Sequence, residues 1–424
     1  MGPVRRSEVG PLRMDTSRLL GRLFELGAIG GLPGGGCARL ALTDADRAGR
    51  DLVVSWMHGL GLQVGTDQLG NVIGVRAGLE NGPAVMMGSH IDTVATGGLY
   101  DGNLGVLAGL EVIEAVAAAG ITTRRPLAVA LFTNEEGARF APDMLGSLAF
   151  VGGLSTEAAH QVVGIDGARV GDELARIGYL GPLHCPGPAP FAFVELHIEQ
   201  GPVLEDHGIT IGAVTGVQGI SWQRLIITGR SGHAGTTPMH LRADPGYVAM
   251  RLATFVRDLT AELGPPLVGT VGRLELSPNL VNVIPATATL TVDLRHTDDA
   301  VLRHAEGRLA QEIAKVCAEE GVTCAASTLA RFEPVDFHPA MIDLIEATAT
   351  GLGRTTQRMP SGAGHDAQML ARVCPAGMIF VPSVGGISHN ITEHTDPDDL
   401  AAGAEVLAAV VLHLAQAEDP WAAT

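Results

Sequence analysis

The chain has 424 residues, 46% hydrophobic and only 4% aromatic, with 56 glycines, which excludes a mainly disordered protein and provides for a core of Ala, Val, Leu and Ile. Acidic residues outnumber basic ones 46 to 28, a net charge of −18 with neutral His, which argues against a nucleic-acid partner. At roughly 100–200 residues per domain, the length allows two or three domains.

Met1–Gly10 carries Arg5, Arg6 and Glu8 with no apolar run behind it, so no signal peptide is expected. The first third alternates α and β. An amphipathic helix is expected over Ser17–Leu26, a Gly/Pro loop over Gly30–Gly36, and a helix over Asp44–Gly61 capped by Thr43. Ala84–Met87 and Leu127–Phe132 are short, continuously apolar runs, the pattern of strands buried on both faces, with a helix Gly105–Ala119 between them. Phe191–Ile198 reads as another buried strand.

From Gly216 to Phe332 the rhythm changes. Strands are expected at Trp222–Thr228, Leu267–Leu276, Ala286–Arg295 and Val322–Leu329, with helices Pro245–Leu263 and Asp299–Glu320. That β-α-β-β-α-β order can close its own sheet. The β/α pattern resumes with helix Met341–Leu352, strand Met378–Pro382 and helix Pro397–Gln416. An α/β domain of residues 1–215 and 333–424, interrupted by a smaller one at 216–332, is the simplest parse. Val106–Ala119 and Ala401–Ala415 are too short and too interrupted, by Glu111, Glu114, Glu405 and His413, to span a bilayer. Cys37, Cys185, Cys317, Cys324 and Cys374 form no CxxC pair, which fits a soluble, reduced, cytoplasmic protein.

The 15 His beside surplus carboxylate are raw material for metal sites, and four clusters carry the interest. Gly88-Ser-His90-Ile-Asp92 follows a buried strand, where ligands prefer to bind, and the Asp92 carboxylate is spaced to orient the His90 imidazole. Asp101 follows in a turn-rich stretch. An ordinary loop His with a helix-capping Asp is the structural alternative. Thr133-Asn-Glu135-Glu136-Gly137 puts two adjacent carboxylates at a strand end, where they repel unless a cation intervenes or one is protonated. One can bind metal while the other works as general base; a solvated surface pair is the alternative. Glu195, His197 and Glu199 alternate onto one face of a strand, which is costly to bury without a cation, although an exposed edge strand would tolerate it. Gly386-Ile-Ser-His389-Asn390, with Glu393 and His394 nearby, is the fourth. Three His and a Glu around a bridging Asp would suit two divalent cations.

With these clusters in hand, the sequence resembles the metal-dependent amidohydrolases of the M20 peptidase-like superfamily. It is most similar to the branch of N-carbamoyl-L-amino acid hydrolases, β-ureidopropionases and allantoate amidohydrolases. The motifs are GSHIDT with GGLYDGNLGVLAG, TNEEGARFAPDMLGS, ELHIEQGPVLE, GHAGTTPM, NVIP, DLRHTD, SGAGHDAQ and GISHN, spread from Leu23 to about Leu414. The resemblance implies a catalytic domain on a mixed, mostly parallel sheet flanked by helices, interrupted by a ferredoxin-like α+β dimerisation domain. It makes His90, Asp101, Glu136, His197 and His389 the metal ligands, with Asp101 bridging, Glu135 the general base and Asp92 the group that orients His90. His233 would reach the partner subunit of a homodimer and polarise the substrate carbonyl. Asn282 and Arg295 would grip the substrate carboxylate, and Gln200, Gln218, His365 and Asp366 would line the pocket. Gly232 stands where Asn is common and leaves His233 in place. His233 read alone is a surface loop residue, Arg295 a solvated charge, and His365-Asp366 a helix cap.

The implied reaction is hydrolysis of the ureido C–N bond of an N-carbamoyl amino acid, with Zn as the expected cation and Mn, Co or Ni also tolerated by the ligand set. The same ligands would serve an allantoate amidohydrolase or a β-ureidopropionase. A catalytically silent dimeric binding protein on the same scaffold is a rival from another class. No membrane or nucleic-acid partner is expected.

Overall fold

A computed structural model describes residues 12–421; Met1–Gly10 lies outside the described residues. In chain order the strands are β1 (Gln63–Thr66), β2 (Val72–Arg76), β3 (Val85–His90), β4 (Leu127–Phe132), β5 (Ala192–Ile198), β6 (Ile211–Val217), β7 (Gly219–Thr228), β8 (Gly232–His233), β9 (Val268–Ser277), β10 (Val283–Ile284), β11 (Thr287–His296), β12 (Thr323–Phe332), β13 (Val335–Asp336), β14 (Thr356–Ser361) and β15 (Ala376–Val381). The chain divides into two compact units, one of residues up to Thr215 and from Asp336 on, the other Gly216–Val335.

Among the described residues, nine strands of the first unit form a sheet in the order β1-β2-β4-β3-β5-β15-β6-β13, with β14 pairing β6. Its centre is parallel: β3 pairs with β4 and β5, and β15 with β5. Antiparallel strands flank it, β2 on β4 and β6 on β15. Every residue of β3, β4, β5 and β15 is buried. Helices Asn103–Ala118 and Pro397–Gln416 pack on these strands, and nearly all of the first is buried, which is why its sequence is apolar all round. Its one buried charge, Glu111, accepts hydrogen bonds from Nε and Nη2 of Arg18, both at 2.7 Å. Thr43 caps helix Asp44–Gly59. Among the described residues no helix is long and apolar enough to cross a membrane.

The second unit is an antiparallel sheet in the order β12-β7-β11-β9, with helices Pro245–Leu263 and Asp299–Glu320 packed on it. Its core, including Leu225, Leu252, Leu290, Leu294 and Leu309, is drawn from this unit alone. The strand order is that of a ferredoxin-like fold. A separate two-residue ribbon pairs β8 with β10.

Candidate metal centre

Parallel strands that end together bring their following residues to one edge of the sheet, and this edge collects the clusters read from sequence. His90 is the last residue of β3, Glu135 and Glu136 follow β4, and His197 is the last residue but one of β5. His389 comes from the loop after β15, and Asp101 from the loop before helix Asn103–Ala118. Leaving a buried strand sharply requires unusual backbone. Asn134, Gln200 and His389 adopt φ of 56°, 59° and 54°, a left-handed conformation that non-glycine residues rarely accept away from functional sites.

The two carboxylate oxygens of Asp101 face different partners. Oδ1 lies 3.2 Å from Nε2 of His197 and 3.7 Å from Nε2 of His90. Oδ2 lies 3.4 Å from Nε2 of His389, whose Nε2 is also 3.2 Å from Oε2 of Glu136. Two groups able to hold a metal ion thus share one aspartate: His90, Asp101 and His197, and Asp101, Glu136 and His389. Glu135 Oε2 is 3.3 Å from Nε2 of His90.

The donor chemistry fits divalent cations. Nδ1 of His90 bonds the main-chain carbonyl of Asp92 at 2.9 Å, and Nδ1 of His197 that of Ile198 at 2.8 Å. A carbonyl only accepts, so each Nδ1 carries the proton and Nε2 faces the centre. Nε2 of His90 is buried without a hydrogen-bond partner, a cost that coordination would relieve. Burial lowers the His90 pKa to about 4, keeping the ring neutral. Desolvation opposes charge on His197 too, but the hydrogen bond and charge of Asp101 and the charge of Glu195 raise it to about 9. Hydrogen bonds to Asp101 and Glu136 carry His389 up to about 11. Burial works against the Asp101 carboxylate, yet His197 and His389 hold its pKa well below the ordinary range. Burial first, then the charges of Asp366, Glu136, Asp101 and Glu195, push Glu135 well above it. Such an excess of buried negative charge calls for cations.

Asp92 corrects one expectation. Its carbonyl, not its carboxylate, meets His90, because the chain turns straight after β3. The carboxylate instead accepts the N–H groups of Glu135 at 3.2 Å and Glu136 at 3.3 Å, and so fixes the loop after β4. Glu199 likewise leaves the centre: its carboxylate accepts the N–H groups of Val203 at 2.7 Å and Leu204 at 2.8 Å. Since β5 lies in the middle of the sheet, the exposed-edge alternative is excluded.

Gln200 donates from Nε2 to Oδ2 of Asp101 at 2.8 Å. The His365 ring lies 4.6 Å from that of His197, with Nε2 2.8 Å from Ser361 Oγ, and its side chain makes no helix-capping bond. Asp366, fully buried, opens helix Asp366–Leu370. Gln218, His233, Asn282 and Arg295 belong to the second unit. There His233, exposed, pairs with Val283, and the N–H of Ala234 donates to the carbonyl of Asn282 at 3.0 Å. Arg295 is partly exposed, bonded to Asp293 at 2.9 Å, with its guanidinium 5.8 Å from the Trp222 ring centre. Gln218 is buried.

Sequence reasoning passed over Arg39. Fully buried, it donates to the carbonyl of Ile91, between His90 and Asp92, and to Oδ1 of Asn103, both at 2.8 Å, tying together the two loops that carry the candidate ligands His90 and Asp101. It carries no local motif, and only the contact across the fold reveals it. Ser388 also escaped notice, though it directly precedes His389.

The sequence profile described as Peptidase family M20/M25/M40 matches residues 86–413. An N-carbamoyl-L-amino-acid amidohydrolase of Rhizobium meliloti is 42% identical over 405 residues, covering 95% of this chain and 97% of its own. One of the same name from Geobacillus stearothermophilus is 40% identical, covering 96% of this chain and 100% of its own. The crystal structure of an amidase of the hydantoinase/carbamoylase family from Burkholderia multivorans superposes with a TM-score of 0.93 at 43% identity, covering 95% of this chain and 98% of that one.

Proposed function

Because the chain belongs to peptidase family M20/M25/M40, with carbamoylase relatives over nearly its whole length, we propose that it hydrolyses N-carbamoyl-L-amino acids to the free amino acid, CO2 and ammonia. The observation that carries this reading is the division of the Asp101 oxygens between two ligand groups, with Glu135 beside them. His90, Asp101 and His197 would hold one divalent cation, and Asp101, Glu136 and His389 the other; Zn, Mn, Co and Ni all suit these donors. Such cations, when bound, supply Lewis acidity toward the ureido oxygen and toward water.

The chain's own residues manage the protons. The Glu135 carboxylate takes a proton from the attacking water as oxygen bonds to the ureido carbon. It returns that proton to the amino-acid nitrogen as the C–N bond breaks, and the released carbamic acid divides into CO2 and ammonia. Asp92 holds the Glu135 main chain in place. His233 is assigned to the ureido oxygen, acting on a partner subunit in a homodimer, and Asn282 and Arg295 to the substrate carboxylate, which a guanidinium binds bidentately. Gln200, Gln218, His365 and Asp366 are assigned to the pocket. For these residues the support is the motif match. Arg295→Ala is expected to raise KM for carboxylate-bearing substrates at least tenfold without changing thermal stability; an unchanged KM removes Arg295 from the site.

An ammonia-release assay with Mn- or Zn-loaded protein tests the whole reading. The panel is N-carbamoyl-L- and N-carbamoyl-D-amino acids, β-ureidopropionate and allantoate, with N-acetyl amino acids followed by amine release. Highest kcat/KM on N-carbamoyl-L-amino acids is expected. Preference for allantoate or β-ureidopropionate would move the assignment to that activity, and no turnover on any member would reject it.

A further inference from the structure

We infer that Glu393 is a positioning residue that fixes the Asp101 and His389 loops against each other, and so sets the geometry of one of the two cation sites. Asp101 and His389 are here ligands of a shared cation, and the inference rests on that assignment. Glu393 is buried, and both its carboxylate oxygens are used. Oε1 accepts the N–H groups of Tyr100 at 3.1 Å and Asp101 at 3.2 Å. Oε2 lies 3.1 Å from Ser388 Oγ, which is itself 3.0 Å from Oδ2 of Asp101. One side chain therefore grips the Asp101 main chain directly and shares with the Asp101 carboxylate the hydroxyl next to His389, whose single proton serves one carboxylate at a time.

The surrounding chain is shaped for this contact. A Cβ at Gly98 would lie 2.0 Å from Oε1 of Glu393, so only glycine lets the 98–101 loop wrap around the carboxylate. On the other side, the N–H of Glu393 donates to the carbonyl of Asn390 at 3.0 Å, closing the turn that begins at Asn390, directly after His389. His389 needs such an anchor. Its side chain is half exposed and its φ is 54°, so neither packing nor backbone preference holds the imidazole toward Asp101 and Glu136. The His90 and His197 rings are fixed instead by the carbonyls of Asp92 and Ile198.

Calorimetric titration of metal-stripped full-length protein with Mn2+ tests the assignment. The parent is expected to take up two equivalents. In Glu393→Ala one equivalent should bind as in the parent and the other about 10- to 100-fold more weakly, the usual loss when a group supporting a ligand is removed. Glu393→Gln, whose amide oxygen still accepts both N–H groups, should recover most of that affinity. Circular dichroism checks folding. If Glu393→Ala does not fold, Ser388→Ala keeps the main-chain contacts, cuts the link to the Asp101 carboxylate, and should weaken the same equivalent. Two equivalents bound with parental affinity in the folded variant would overturn the role of Glu393. A parent that takes up no cation would overturn the metal assignment itself, a result distinguishable from the first.

Discussion

Glu135 and the histidines make the residue-scale predictions. Glu135→Gln keeps the shape of the side chain and removes the base, so kcat should fall by about 10²- to 10⁴-fold while metal content stays at the parental level. Turnover near the parental value would remove Glu135 from the proton path. The histidines predict a proton count. His389, with a pKa of about 11, is protonated at pH 7 and must lose that proton before Nε2 can take a cation, whereas Nε2 of His197 already accepts the main-chain N–H of Gly102 at 3.1 Å. His90, at about 4, has none to lose. Filling both sites at pH 7 should release about one proton from these rings, and affinity should rise with pH. Calorimetry in buffers of different ionisation enthalpy measures the number; zero release would contradict it.

At the scale of elements, Gly102 is the tightest constraint on the centre. Its φ is 65°, and a Cβ there would lie 2.4 Å from the His90 ring. Gly102→Ala is therefore expected to displace His90 and weaken cation binding, and to lower stability by about 1 kcal/mol or more from backbone strain alone. Unchanged metal affinity would show that the loop moves aside freely. The long helices and buried strands were legible because one period dominated each: Pro245–Leu263 and Asp299–Glu320 have the bounds read from sequence, and in the structure the Asp244 and Asp298 side chains cap their N-termini. β3 was read as ending at Met87 but runs to His90, since the polar Ser89 is buried with its hydroxyl on Glu195 at 2.6 Å. β1, β2, β6 and β14 went unread, as did the two-residue strands β8, β10 and β13. β1 is a short, half-exposed edge strand, and β6 and β14 have neither a clean alternation nor a run free of Gly or Pro. The candidate ligands stood out as motifs at strand ends, whereas the side chains that brace them, Arg39 and Ser388, act only through contacts made by folding.

For the whole molecule, the self-contained core of the second unit predicts independent folding. Gly216–Val335 expressed alone should give a cooperative thermal transition and native-like circular dichroism, because its buried residues pack on one another. A non-cooperative melt would mean that this core is insufficient on its own. The sheet of the first unit also imposes an order on biosynthesis. β15 lies between β5 and β6 yet is made after the entire second unit. A nascent chain can pair β3, β4 and β5 and gather His90, Asp101, Glu135, Glu136 and His197 early, but β6 has no place in the sheet until β15 slides in beside β5. His389 arrives only behind that strand. The last of these strands in the sequence thus completes the sheet and carries behind it the last of the proposed ligands, so that, on that assignment, uptake of both cations is expected only once the sheet is complete.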